Sequence, residues 1–218
     1  MKITVYHEGD LINLDSYIVD SRSETYTISR VISKTSNNEI CEAMSSEGTL
    51  VALKIGLTDN TNELREEYAL ADQLRHPNIL GFTKFLFHEA HPCLLMPLCK
   101  ETLKVRLKRQ KTLPLDEVKQ LANDLAKALQ HLHNQLPYPI VHRDVKPANV
   151  LFTMEDRALI GDFELSLPYN DQTVKNAQSI FSPKYGWVCR MVRTSKILTC
   201  QGRGILRKDF LGVLGIYT

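Results

Sequence analysis

Val141-His142-Arg143-Asp144-Val145-Lys146-Pro147-Ala148-Asn149-Val150-Leu151-Phe152 is the stretch on which the reading of this chain turns. Apolar residues at its two ends bracket a polar run in which an aspartate, a lysine and an asparagine stand at 144, 146 and 149. Apolar flanks anchor such a loop to a scaffold while its polar groups stay available for chemistry. Two other fragments share this character. Downstream, Ile160-Gly161-Asp162-Phe163-Glu164 holds a carboxylate between apolar neighbours; upstream, Val51-Ala52-Leu53-Lys54 ends on a lysine.

The sequence around these fragments divides into strands and then helix. Tyr26–Ile32, Glu39–Met44 and Leu50–Ile55 are apolar or alternating, and the breaks between them are rich in Ser and Asn, which favour turns. Asn62–Arg75 is predicted to be a helix, with Leu64, Tyr68, Ala71 and Leu74 on one face and Pro77 just beyond its end. Two more strands are expected in Gly81–Glu89 and Pro92–Leu98. A long helix is expected over Asp116–Asn134, where Val118, Leu121, Ala122, Leu125, Ala128, Leu129 and Leu132 make one apolar stripe. The run Lys100–Lys111, with six basic residues and one acidic, reads as a solvated helix. This order gives an α+β protein with a sheet-rich part and a helical part.

Composition agrees with a globular chain. Of 218 residues, 43% are hydrophobic and 24% charged, which excludes the disordered, collagenous and disulfide-rich classes. The five cysteines form no C-x-x-C pair and read as reduced thiols of an intracellular protein. No apolar run suggests a signal peptide or a membrane span, so a cytoplasmic location is expected, with no membrane partner. The formal net charge is +2, and no nucleic-acid partner is expected. Charge is unevenly placed: residues 172–218 sum to +7 and residues 1–171 to −5, marking the last quarter as a different kind of segment.

H-R-D-x-K-P-x-N, V-A-x-K and the D-F pair, in this order, resemble the eukaryotic-type protein kinases from about Tyr26 to Lys184. The lysine two positions after Asp144 is similar to the serine/threonine class. The resemblance implies a two-lobed protein-kinase-like α+β fold with a truncated C-terminal helical lobe. Its parts are an N-terminal extension (1–25), a small lobe of sheet plus one helix (26–98), a partial large lobe (99–184) and a divergent basic tail (185–218). It also implies a transferase using ATP and Mg²⁺ to phosphorylate Ser or Thr of a protein substrate.

Roles follow from the resemblance and from phosphoryl transfer, in which positioning and charge neutralisation dominate. Asp144 orients the substrate hydroxyl, Lys146 sits over the transferring group, and Asn149 and Asp162 offer hard oxygens to Mg²⁺. Lys54 holds the α- and β-phosphates and needs an acidic partner. Glu67 has the family's spacing to His76 of HPNI and lies beside the apolar stripe of its helix; Glu63 and Glu66 are its rivals. Met96-Pro97-Leu98-Cys99 is similar to the segment joining the lobes, with Met96 as gatekeeper. Adenine then bonds the Pro97 carbonyl and the Cys99 amide, and Ile32, Ile40, Ala52 and Leu151 supply apolar walls.

The chain departs from the family pattern in three places. Ser33, Thr35 and Asn38 stand at the glycine positions of the phosphate loop, where Thr35 suits positive φ poorly. Glu164 replaces the glycine of D-F-G and sets a carboxylate near the polyphosphate. Ser182-Pro183-Lys184 stands where the family has A-P-E. These departures motivate the alternative of a pseudokinase, a nucleotide- or partner-binding module with little activity. Arg143, beside Asp144, implies a phosphate on the activation segment, with Thr173, Ser179 and Ser182 as candidates.

Overall fold

Alternation, turn chemistry and one helical stripe are enough to build the first part of the chain. The structure is a computed structural model and describes residues 17–19, 24–58, 61–88 and 91–169. The chain divides into two compact units, Met1–Gln73 with Gly81–Leu98, and Leu74–Leu80 with Cys99–Thr218.

In the first unit the strands are β1 (Tyr17–Val19), β2 (Thr25–Lys34), β3 (Asn38–Ser45), β4 (Leu50–Gly56), β5 (Lys84–His88) and β6 (His91–Pro97), with α1 (Thr61–Gln73) between β4 and β5. They form one antiparallel sheet in the order β1-β2-β3-β4-β6-β5. Strand β4 lies inside the sheet and is buried along most of its length. Its odd residues Leu53 and Ile55 face a core of Tyr26, Ile28, Cys41, Ala43, Leu86, Cys93 and Leu95. Its even residues Ala52 and Lys54 take the other face, because successive strand residues point oppositely. Helix α1 packs against β6, and its Tyr68 ring meets Phe82 and Phe85 at centroid distances of 6.5 and 6.0 Å. The expected strands and the α1 stripe match these elements; the helix stops at Gln73, two residues short of the expected end.

The second unit holds β7 (Glu101–Thr102), α2 (Leu103–Gln110), α3 (Leu115–His133), β8 (Ile140–Val141), β9 (Val150–Phe152), β10 (Ala158–Ile160) and β11 (Leu167–Pro168). Strands β10, β9 and β7 make one small sheet, and β11 pairs with β8. The α3 stripe is buried as expected, with Val118, Leu121, Leu125, Ala128, Leu129 and Leu132 inside. Asp124 is buried beside them and accepts the Ala158 N–H at 3.1 Å, so α3 is tied to β10 by a hydrogen bond as well as by packing. Residues 76–80 run along β10: Ile160 N–H donates to Asn78 O, Leu80 N–H donates to Ile160 O, and Asn78 Nδ2 donates to Ala158 O. No helix among the described residues is long and apolar enough to cross a membrane. The basic tail, Ser182-Pro183-Lys184, Thr173 and Ser179 lie outside the described residues.

The basic run at Lys100–Lys111 carries the expected helix, with Lys100, Lys104, Lys108, Arg109 and Lys111 exposed, and one basic residue turned inward. Thr102 caps α2 by accepting the Val105 N–H, and the helix buries Leu103 and Arg106. Arg106 is only 4% exposed. It donates to Glu101 at 2.9 Å, to Glu117 at 2.6 Å and to Asp156, and its guanidinium lies 3.5 Å from the centre of the Phe152 ring. One side chain thus ties α2, α3, β7 and the β9–β10 turn together. Without Arg106, Glu101 keeps Arg109 and Asp156 keeps Lys100, so the loss falls on Glu117 and on the packing over Phe152. Arg106→Met should therefore cost about 2 kcal/mol. Arg106→Lys, which keeps charge but loses the planar fork, should fall between it and wild type. Urea unfolding of the three proteins checks this, and a Met variant as stable as wild type would contradict it.

Candidate active site

Sheet register, read outward from Lys54, assembles the first cluster. Across β3 and β6, Lys54 stands opposite Ile40 and Leu94, and Ala52 stands opposite Met96. Directly opposed residues share a face. Ile40, Ala52, Lys54 and Met96 therefore occupy one sheet surface, opposite the Leu53 core. Lys54 Nζ donates to Glu67 Oε2 at 2.7 Å, with both side chains buried. Glu63 and Glu66 are exposed, so of the three helix carboxylates it is Glu67 that meets Lys54. Ile32 falls at an irregularity in the β2–β3 register and is 44% exposed. Pro97 ends β6 and is exposed.

The second cluster is the loop between β8 and β9. Lys146 Nζ donates to Asp144 Oδ2 at 2.5 Å, and Asn149 Nδ2 donates to the same oxygen at 2.9 Å and to the Asp144 carbonyl at 3.0 Å. Asn149 is buried, and its backbone joins both sides of the loop: its N–H donates to Lys146 O, and its carbonyl accepts the Gly161 N–H. Because Nδ2 is spent on Asp144, the atom that Asn149 can offer a cation is Oδ1. Asp162 follows Gly161 and is half-buried, with φ of 67°. Space at Gly161 is tight: an added Cβ would lie 2.9 Å from Leu151 Cδ1 and 3.1 Å from Leu80 Cδ2, so those side chains would have to shift. Leu151, expected as a pocket wall, is thus half-buried on β9 and packs beside Gly161.

His142 carries a role that the sequence reading left unassigned. Its ring lies 5.0 Å from that of buried Phe163. Burial pushes its pKa below the ordinary value, against the hydrogen bond to Gly161 and the charges of Asp162 and Asp144. The neutral ring fits its partners: Nε2–H donates to Gly161 O at 3.0 Å, and Nδ1 accepts the Asp144 N–H at 3.3 Å. One imidazole therefore links the backbone of the 144 loop to that of the 162 loop. No local pattern in the sequence marks this histidine, because its partner Gly161 lies 19 residues on.

The departures look different in three dimensions. Glu164 lies in a turn closed by Ser166 N–H donating to Phe163 O, is exposed, and has no positive φ. Arg143, with φ of 66°, donates Nε–H to the Leu165 carbonyl. None of Ser33, Thr35 and Asn38 has positive φ, so the hairpin asks for no glycine there. Cys99 is half-buried, and burial pushes its thiol up to about 11, which leaves little thiolate at neutral pH.

The donor set suits Mg²⁺. Asn149 Oδ1 and the Asp162 carboxylate are hard oxygens, and Mg²⁺ brought in with a nucleotide needs only one or two protein oxygens beside phosphate and water. No three His, Cys, Asp or Glu side chains group as a metal site among the described residues.

Known proteins resemble this chain over much of its length. A calcium/calmodulin-regulated receptor-like kinase 1 of Arabidopsis thaliana is 29% identical over 153 residues, covering 67% of this chain and 35% of its own. From the same plant, a putative L-type lectin-domain containing receptor kinase V.8 is 31% identical, covering 63% of this chain and 23% of its own. Protein kinase STUNTED, also from Arabidopsis thaliana, is 29% identical, covering 69% and 25%. The chain thus spans between about a quarter and a third of the length of these relatives. The protein kinase domain family matches residues 26–186, a span that takes in every residue of both clusters, and the chain belongs to that family.

Proposed function

We propose that this chain transfers the γ-phosphate of ATP to a serine or threonine hydroxyl of a protein substrate. The observation that carries the reading is the Asp144 carboxylate, fixed by Lys146 and Asn149 in a loop closed by Asn149 and His142. Asp144 accepts the hydrogen bond of the incoming hydroxyl and orients its lone pair for attack. Lys146, already within reach of Asp144, meets the charge that builds on the transferring group. Lys54, positioned by Glu67, binds the α- and β-phosphates. Asn149 Oδ1 and Asp162 are the oxygens that hold Mg²⁺, which when bound neutralises charge on the phosphates. Ile32, Ile40, Ala52, Met96 and Leu151 pack the adenine, with the Pro97 carbonyl and the Cys99 amide as its polar contacts. Arg143 serves a phosphorylated activation segment. ATP supply makes the cytoplasm the compartment in which the chain works.

The alternative is a pseudokinase that binds nucleotide or a partner with little transfer. What favours it is the hairpin at residues 33–38, which lacks all three loop glycines.

Two experiments decide between them. Saturating Mg·ATP, at 100 times its Kd, should stabilise wild type by about 2.7 kcal/mol, a shift of several degrees in Tm. Lys54→Met should lose that shift. Asp144→Asn should keep it, while phosphate transfer to a protein substrate falls at least about 100-fold. Equal shifts in wild type and Lys54→Met would remove the assigned phosphate contact, and a shift in wild type without transfer would select the pseudokinase. The second experiment concerns Glu164. Pairs of solvent-exposed charges interact by only about 1 kcal/mol or less. Glu164→Gly should accordingly change ATP affinity and transfer rate by less than about five-fold. A larger gain would mean that this carboxylate opposes the nucleotide directly, and a larger loss that it is used as a ligand.

A further inference from the structure

The hairpin joining β2 to β3 is closed by one side chain. Thr35 N–H donates to the Asn38 carbonyl at 2.9 Å, and Thr35 Oγ1 donates its hydrogen to the same carbonyl at 3.0 Å. Thr35 Oγ1 in turn accepts the Asn38 N–H at 3.0 Å and the Asn37 N–H at 3.3 Å. A hydroxyl has one hydrogen and two acceptor lone pairs, so all its capacity is used. Beyond the tip, the Asn37 carbonyl accepts the Leu57 N–H at 2.8 Å and Ser36 Oγ donates to Asn37 Oδ1 at 2.9 Å. The turn is therefore built by a threonine hydroxyl rather than by glycine conformations, which is why no positive φ is needed there.

This has a consequence for phosphate. A loop that cradles phosphate does so with backbone N–H groups. Thr35 Oγ1 and a phosphate oxygen are both acceptors, and they compete for the N–H groups of Asn37 and Asn38. We propose that Thr35 sets how strongly this chain responds to the polyphosphate of a nucleotide: its hydroxyl caps the two N–H groups that would otherwise bond phosphate oxygens, so affinity comes mainly from the nucleoside and from Lys54. The proposal rests on the reading of the chain as nucleotide-binding.

Three proteins test it: wild type, Thr35→Ala and Thr35→Ser, each as the full chain. Amide hydrogen exchange reads the cap without any ligand. Exchange at Asn37 and Asn38 should speed up about 3- to 10-fold in Thr35→Ala, the range expected for one hydrogen bond, and stay near wild type in Thr35→Ser. Calorimetry with Mg·ATP and with adenosine reads the competition. Thr35→Ala should bind Mg·ATP about 3- to 10-fold tighter while adenosine affinity moves less than two-fold, and Thr35→Ser should resemble wild type. Unchanged exchange in Thr35→Ala would overturn the cap. An ATP-to-adenosine ratio unchanged by Thr35→Ala, in a protein that binds ATP, would overturn the competition and leave the kinase reading standing. If neither wild type nor Thr35→Ala bound ATP, the nucleotide reading would fall and the competition with it.

Discussion

Burying a lysine inside a sheet is costly, and much of the first unit is arranged around that cost. Strand alternation puts Leu53 and Ile55 toward the core, and by the same step puts Lys54 on the opposite, equally covered face of β4. An ammonium there has lost most of its water, a penalty of several kcal/mol that only a well-placed anion offsets. Helix α1 provides it with Glu67, the acidic residue of the helix that sits on its inner face between Leu64 and Ala71. The pair at 2.7 Å thus fixes the rotation of α1 about its axis against the sheet. A buried ion pair rarely stabilises more than a hydrophobic pair of similar volume. Stability alone therefore does not account for a lysine at 54, which is consistent with the phosphate contact proposed for it.

Elements with a long hydrophobic period were legible in the sequence, and those without one were not. Strands β2, β3 and β4 and helices α1 and α3 each repeat their pattern several times, and each was found within about three residues. Strands β7, β8, β9, β10 and β11 are two or three residues long, too short to show any period. They exist because tertiary contacts hold them, as when residues 76–80 lie along β10. The burial of Arg106, the one exception in an otherwise solvated basic run, was hidden for a related reason. Charge count describes a whole helix, but burial is decided by its single inner face, and the carboxylates that neutralise Arg106 lie 5, 11 and 50 residues away along the chain.

Among the candidate site residues, those carried by a contiguous motif or by strand register lie together. Asp144, Lys146 and Asn149 belong to the first kind, and Ile40, Ala52, Lys54 and Met96 to the second. The choice of Glu67 over Glu63 and Glu66 was also open to reading, because helical spacing distinguishes an inner from an outer carboxylate. His142 was not legible. Its importance lies in a contact with Gly161, 19 residues on, and no local pattern announces a hydrogen bond of that kind.

The same contrast explains where this chain departs from its family. Non-glycine residues with positive φ carry a conformational cost of about 1–2 kcal/mol. Two of them, Arg143 at 66° and Asp162 at 67°, flank the candidate chemistry. At those points the cost is met by fixed partners: Arg143 bonds Leu165, and Asp162 follows a glycine wedged between Leu80 and Leu151. At 33–38 and at 164, where the family uses glycine, this backbone has no positive φ. A threonine hydroxyl closes the hairpin, and the carboxylate at 164 stands in solvent. The substitutions therefore fall where this backbone tolerates a side chain, while its positive-φ residues stand beside the two aspartates. What the lost glycines change at the hairpin is therefore the set of backbone N–H groups, two of which Thr35 Oγ1 already engages.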